Sequence, residues 1–280
     1  MIKVVLQLIR FPGIFTAFSN VLIGFFLISN GNFELSSLPY LLTTTGLLFS
    51  GGMMMNDYVD QKIDLIERPK RPLPSRKISR QKTLFLIIIC FSLANISAMM
   101  IGDTAIIISL LMSGLILCYN FKLKYTKVFG IICISSIRFL NIILGFSILD
   151  ITFDVIPYAI PLGVYVTGLS ILAKNELKSN SRDLNLNKIF FSLTILTAGY
   201  LIIQNYSLVS IIFLCCFSII VILSLKYYKM NIPKIISIQI LGIIFLDAAI
   251  VGLKNELIYG IIISVLIIPA YIMSKKIYIT

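Results

Sequence analysis

Residues 56–76, NDYVDQKIDLIERPKRPLPSR, concentrate the groups of this chain that can do chemistry. Asn56, Asp57, Asp60 and Asp64 close an apolar stretch, and Arg68, Lys70 and Arg71 follow at once in a Pro-rich run. The three carboxylates are spaced i, i+3, i+7, so a helix continuing through them carries all three on one face. They repel one another unless a cation sits among them, and oxygen-only ligands suit a hard ion such as Mg²⁺. The basic run beside them is placed to hold an anion that the metal also touches. Acids and bases together at the mouth of an apolar segment read as a site for a lipid diphosphate. The plainer alternative is a solvated turn whose acids cap the helix and pair with nearby lysines. Carboxylates near a helix C-terminus oppose the macrodipole, however, which makes a purely structural role costly there. Arg76, Lys77, Arg80 and Lys82 read as a topology signal and headgroup contact. Pro69, Pro72 and Pro74 keep the segment out of regular helix, as a lid or crossing loop requires.

The elements that position these groups are membrane spans. Of 280 residues, 58% are hydrophobic and only 13% charged, which leaves too little polar surface for a soluble domain. One membrane domain over 1–280 is expected. The formal net charge of +12 raises nucleic acid as a partner, but the placement of the charges on the spans explains it instead. With no His in the chain, imidazole bases, His metal ligands and His triads are excluded. Cys90, Cys118, Cys133, Cys215 and Cys216 lie in apolar segments without CxxC spacing, as reduced, packed thiols do. The start MIKVVLQLIRFPG has no small-residue cleavage site and leads into a span, so no cleaved signal peptide is expected.

A bilayer core about 30 Å thick takes about 20 apolar residues per helix. Ten stretches qualify as candidate spans: 14–29, 38–55, 83–101, 104–120, 128–149, 155–173, 189–204, 207–225, 235–252 and 257–274. Of the 24 Lys and Arg, 22 fall before the first span or after the second, fourth, sixth, eighth and tenth. Lys254 alone sits in an opposite-side loop, and Arg138 lies inside the fifth span. By the positive-inside rule both termini and those loops face the cytoplasm or its organellar equivalent. The site must then lie where the even-numbered spans end. A bacterial inner membrane or a plastid-type membrane fits.

These motifs resemble the UbiA family of intramembrane prenyltransferases. NDYVDQKIDLIERPKRPLPS is similar to its first signature, an NDxxDxxxD followed by an RPLPS-like stretch. Arg10-x-Pro12, Asn20 and Gly24 come before it, and Tyr119-Asn120-Phe121-Lys122-Leu123-Lys124 is similar to the family's YSxxLK. Gly130, Arg138, Asn141 and Gly145 follow in order. The resemblance implies an all-α, polytopic transmembrane bundle of two four-helix halves, usually with nine spans where ten are counted here. It implies Mg²⁺ as cofactor and a prenyl diphosphate as substrate. Asn56, Asp57 and Asp60 would carry the chemistry. Asp57, Asp60, Asp64 and Glu176 would hold metal, while Arg68, Lys70, Arg71, Tyr119, Lys124, Arg138 and Lys174 would contact the diphosphate.

One departure bears on activity. The family's second aspartate motif is here LAKNELKSNSRD, where only Glu176 and Asp183 remain acidic. This depletion resembles the EboC-like branch. Glu176 either ligates a second metal, helped by Asn180 or Asp183, or pairs with Lys174, Lys178 or Arg182, which is worth little. In the second case Lys174 replaces part of the missing cation charge. Arg138 and Asp247 lie within apolar spans, where ionisable side chains are paired or face a cavity. Asn20, Asn95 and Asn141 read as interhelical hydrogen-bond formers, and Gly51, Gly52 and Met53–Met55 as packing positions. The implied function is transfer of a prenyl group from an isoprenoid diphosphate to a small aromatic or lipid-like acceptor. The alternatives are a degenerate isoprenoid-binding scaffold or a transporter.

Overall fold

The computed structural model describes residues 2–28, 35–126, 128–149, 153–174, 181–225, 232–254 and 256–277, and among them only helices and their connections occur. The α-helices are α1 (Ile2–Leu8), α2 (Ile14–Ile28), α3 (Leu38–Val59), α4 (Gln61–Glu67), α5 (Arg80–Met99), α6 (Asp103–Phe121) and α7 (Phe129–Phe146). They continue as α8 (Ile156–Lys174), α9 (Ser181–Asn205), α10 (Leu208–Leu225), α11 (Ile232–Val251), α12 (Leu257–Val265) and α13 (Ile267–Ser274). A 3₁₀ turn, Phe11–Gly13, joins α1 to α2.

Nine segments among the described residues are long and apolar enough to cross a membrane. α3 is not one of them, although 38–55 reads as a span. Thr43, Thr44, Thr45, Gly46, Gly51 and Gly52 lower its apolarity over a length of 22 residues. Its threonines are turned to neighbours: Thr44 donates to the Ala94 carbonyl of α5, and Thr45 to Asn141 Oδ1 of α7 at 2.5 Å. Polar groups satisfied between helices are compatible with lipid outside. The last predicted span, 257–274, is broken at Leu266 into α12 and α13.

α2 and α11 are the most buried of these segments and stand at the centre. α2 packs on α7, α3 and α11, and α11 on α10 and α8. The outer helices turn apolar side chains outward, Ile88, Leu110, Ile211 and Ile262 among them, which is the arrangement that lipid as solvent favours. α2 and α7 approach backbone to backbone. A Cβ on Gly145 would lie 2.0 Å from the Val21 carbonyl oxygen, and one on Gly24 would lie 2.4 Å from the Phe146 nitrogen. Only glycine at both positions permits that crossing. Asn141 Nδ2 donates to the Ala17 carbonyl across the same seam at 2.8 Å. On the other flank Asn95 of α5 bonds to Ser109 and Ser113 of α6. These asparagines tie helices together, as their positions suggest.

Candidate active site

α3 does not run on through the acidic motif. It ends at Val59, and Asp60 (φ −83°, ψ 3°) serves at once as its C-cap and as the N-cap of the short α4. The expectation of one continuous face bearing three carboxylates is therefore corrected: the break divides them. Asp57 and Asp64 share Arg71, whose Nη1 lies 3.1 Å from Asp57 Oδ1 and 2.8 Å from Asp64 Oδ2. Arg10 Nη2 also reaches Asp57 Oδ1 at 3.1 Å. Asp57 and Asp64 are only 2% and 3% exposed, so the reading of this loop as a solvated turn fails for both. Asp60 turns the other way, to Lys124 Nζ at 2.6 Å and the Tyr125 hydroxyl at 3.4 Å.

Arg10 reaches Asp57 from a left-handed conformation (φ 48°, ψ 54°), which a non-glycine residue adopts only when its surroundings hold it there. Burial pushes the Arg10 guanidinium down from its ordinary pKa, and the Asp57 carboxylate opposes that shift. Burial and the neighbouring Asp60 push the Tyr125 phenol up. The segment after α4 folds back on itself. Ser75 N–H donates to the Arg71 carbonyl and Lys77 N–H to that of Pro72, while Pro72, Leu73 and Pro74 are buried. Lys70, Arg76 and Lys77 stay exposed.

A cavity of about 400 Å³ opens beside this loop, within the size range of small-molecule sites. Arg10, Asn56, Arg68, Tyr119 and Asn120 are among its polar lining, and below them the walls are apolar: Leu48, Met112, Val166, Leu169, Ile240 and others. Arg138 also lines it, with its guanidinium over the Phe49 ring at 5.7 Å. Phe49 lies seven residues before Asn56 on α3, about 10 Å deeper along the helix. Arg138 donates to Asn20 Oδ1 at 2.8 Å and to Thr16 Oγ1 at 3.1 Å. Asn20 in turn donates to Asp247 Oδ2 at 2.6 Å, and Ser19 donates to the same oxygen at 2.5 Å. Arg138 and Asp247 are thus linked through Asn20 rather than in direct contact.

The structure brings together Asn56, Asp57, Asp60, Asp64, Arg68, Arg71, Tyr119 and Lys124 at the mouth. It sets Arg138 apart, inside the cavity. Lys174, the last residue of α8, donates to the Thr126 carbonyl of the α6–α7 connection and does not line the cavity. Glu176 and Asn180 lie outside the described residues, and Asp183 is buried in the first turn of α9. Among the described residues no three His, Cys, Asp or Glu side chains gather closely enough to hold a metal ion. Two residues gain roles that spacing does not reveal. Arg10 is 47 positions from Asp57, and only its place beside Pro12 marks it. Asn120 sits within the YNFKLK stretch, which is its one signal.

Fold and site together define a bundle of membrane-length helices in which carboxylates, carboxamides and cations gather at one end of a largely apolar cavity. The family model described as UbiA prenyltransferase family matches residues 17–274, and the chain belongs to that family. A digeranylgeranylglyceryl phosphate synthase of Methanococcus aeolicus is 28% identical over 91% of this chain and 88% of its own length. One from Saccharolobus solfataricus is 30% identical, but the match spans only about half of each chain, 51%. Both relatives bear the name of that synthase, which does not confirm the EboC-like branch. Among solved structures, one concerned with digeranylgeranylglyceryl phosphate synthase superposes with a TM-score of 0.66 at 21% identity, covering 91% of this chain and all of that one. A UbiA homologue from Archaeoglobus fulgidus bound to GPP and Mg²⁺ gives 0.62 at 14% identity, covering 94% and 99%. At such identities the structures speak for the fold.

Proposed function

We propose that this protein transfers a prenyl group from an isoprenoid diphosphate to a lipid-like acceptor at the cytoplasm-facing end of its cavity. The observation that carries this is the division of the cavity, with carboxamides, a tyrosine and cations at the mouth and an apolar wall beneath. A diphosphate needs the first and its prenyl chain the second. Arg68, Tyr119 and Lys124 would take phosphate oxygens, with Lys124 exchanging Asp60 for the ligand. The dry lower cavity would keep water from the allylic cation until the acceptor attacks.

The mouth fits Mg²⁺ by donor chemistry, since the groups there able to ligate a cation present carboxylate and amide oxygens, and Asn120 Oδ1 is buried there without a partner. Asn56 lines the cavity and Asp60, four residues on, is the least buried of the three aspartates, so these two would hold the ion. When bound, Mg²⁺ neutralises the diphosphate and stabilises it as a leaving group. Asp57 and Asp64 are better read as the frame of the site. They fix Arg71, hence the loop that carries Arg68 into the cavity.

For the acceptor, the relatives' name supports a glyceryl phosphate bearing a geranylgeranyl chain over an aromatic ring. Among the described residues, Phe49 and Tyr119 are the only aromatic side chains in the cavity lining, which also suits an aliphatic partner. The test is purified protein with geranylgeranyl diphosphate, Mg²⁺ and either an alkyl glyceryl phosphate or a hydroxybenzoate. A prenylated ether from the first acceptor supports the reading. A prenylated ring from the second replaces it with the aromatic one.

A further inference from the structure

The depleted second motif leaves a Mg²⁺ site built on Asn56 and Asp60 short of protein oxygens, and the cavity wall contains one with no other use. Asn120, near the end of α6, is 2% exposed. Its Nδ2 donates to the Ile116 carbonyl at 2.9 Å, which fixes the orientation of the amide, because an oxygen there would face another oxygen. Oδ1 is therefore the end left over, and it is buried with no hydrogen-bond partner. Leaving a buried acceptor unmade costs about 1–3 kcal/mol, which a bound ligand would recover.

The register of α3 against α6 places that oxygen. Both helices run toward the end that carries the acidic motif. A Cβ on Gly52 would lie 3.2 Å from Ile116 Cγ2, so the two helices touch at that level. Eight residues further along both segments, just past the ends of the two helices, Asp60 meets Lys124 at 2.6 Å. Asn56 and Asn120 each lie four residues along the chain from both of these contacts, and both line the cavity. The two carboxamides thus occupy matching positions between these contacts, on the wall of one cavity. Neutral amide oxygens beside a carboxylate form a hard, oxygen-only set. The YSxxLK stretch that this segment resembles has a shorter side chain, Ser, where Asn120 stands.

We infer that Asn120 Oδ1 is a Mg²⁺ ligand, completing with Asn56 and Asp60 a site that compensates for the missing acids of the second motif. The inference rests on the proposed diphosphate site. An alternative use of the same oxygen, accepting a hydrogen bond from an acceptor hydroxyl, is separated by the test.

The test is titration of the full-length protein with Mn²⁺, following free ion by electron paramagnetic resonance. It is run with and without geranyl thiolodiphosphate, a donor analogue that resists ionisation. Asn120→Ala is expected to raise the Mn²⁺ dissociation constant by about tenfold, the loss of one good contact. Asn120→Asp, which keeps an oxygen in place and adds charge, should bind at least as tightly as the unmutated protein, and this guards against a folding defect in the alanine variant. Unchanged Mn²⁺ affinity in Asn120→Ala overturns the inference, with a raised acceptor KM pointing to the hydroxyl contact instead. Weakening by Asn120→Asp as severe as by Asn120→Ala also overturns it. If the unmutated protein binds no Mn²⁺ even with the analogue, the diphosphate site itself is wrong and the inference falls with it.

Discussion

Asp57→Asn and Asp60→Asn are near neighbours in sequence, yet the structure sets them different fates. The Asp57 side chain is 3% exposed and receives Arg10 and Arg71, themselves 14% and 11% exposed, both at 3.1 Å. The asparagine keeps the shape and removes the charge, leaving two guanidinium groups with Asp64 alone to balance them. Removing one partner of a buried ion pair costs about 3–5 kcal/mol. Arg71 retains Asp64 and both arginines keep some solvent, so the lower end, about 3 kcal/mol, applies. At about 2–4 °C per kcal/mol for a chain of this size, the melting midpoint should fall by roughly 6–12 °C. Asp60 is different. Its side chain is 19% exposed and meets one cation, Lys124, where Asp57 meets two, so although Lys124 is itself 8% exposed, Asp60→Asn should cost about 1.5 kcal/mol, half as much, and lower the midpoint by roughly 3–6 °C. It should instead remove most Mg²⁺-dependent binding of a prenyl diphosphate. Melting in one detergent and equilibrium binding on the same preparations decide the matter. If Asp57→Asn melts with the unmutated protein while losing Mg²⁺-dependent binding as fully as Asp60→Asn, then Asp57 is a metal ligand and its reading as frame is refuted.

Three further outcomes follow from the packing. Gly145→Ala would drive a methyl to 2.0 Å from the Val21 carbonyl, so α2 and α7 must part and folded yield should collapse; Gly114→Ala, with nothing within 4 Å, should fold normally and serve as control. Asn20→Ala should lower the melting midpoint by several degrees, because the bridge between Arg138 and Asp247 is lost; measured with Asp247→Asn, the two effects should be clearly non-additive. A C-terminal tag should be labelled from the same membrane face as an N-terminal one, as the ten spans read from the sequence and the clustering of basic residues predict. Labelling from opposite faces would point to nine crossings.

The architecture is largely legible from hydropathy and charge: each of the ten predicted stretches overlaps a helix among the described residues, and the densest basic run follows the acidic motif beside the cavity. α3 is the weakest signal, since its threonines and glycines serve helix contacts that a hydropathy window scores as polar. The acidic motif is legible as a set but not in its division of labour. Spacing puts Asp57, Asp60 and Asp64 on one face only if the helix continues, and nothing local announces the break at Asp60. The partner that claims Asp57 is Arg10, which comes from the far side of a span, and such tertiary pairing has no short-range signature. Asn120 could be singled out only once its amide nitrogen was seen to be taken by Ile116. Arg138 and Asp247 read as alternatives, direct pair or separate roles; in the fold Asn20 stands between them, and Arg138 faces the cavity.

The central claim is Mg²⁺-dependent ionisation of a prenyl diphosphate at the mouth of this cavity. It is tested most directly by measuring diphosphate release from geranylgeranyl diphosphate by the purified protein in bilayer discs, with an alkyl glyceryl phosphate as acceptor. Release should require Mg²⁺, stop with chelator, and fall at least about a hundredfold in Asp60→Asn, corresponding to about 2.7 kcal/mol of lost stabilisation. Release that persists with chelator, or equal rates in Asp60→Asn, would contradict the account, and no release with any prenyl donor would leave an isoprenoid-binding scaffold as the better description.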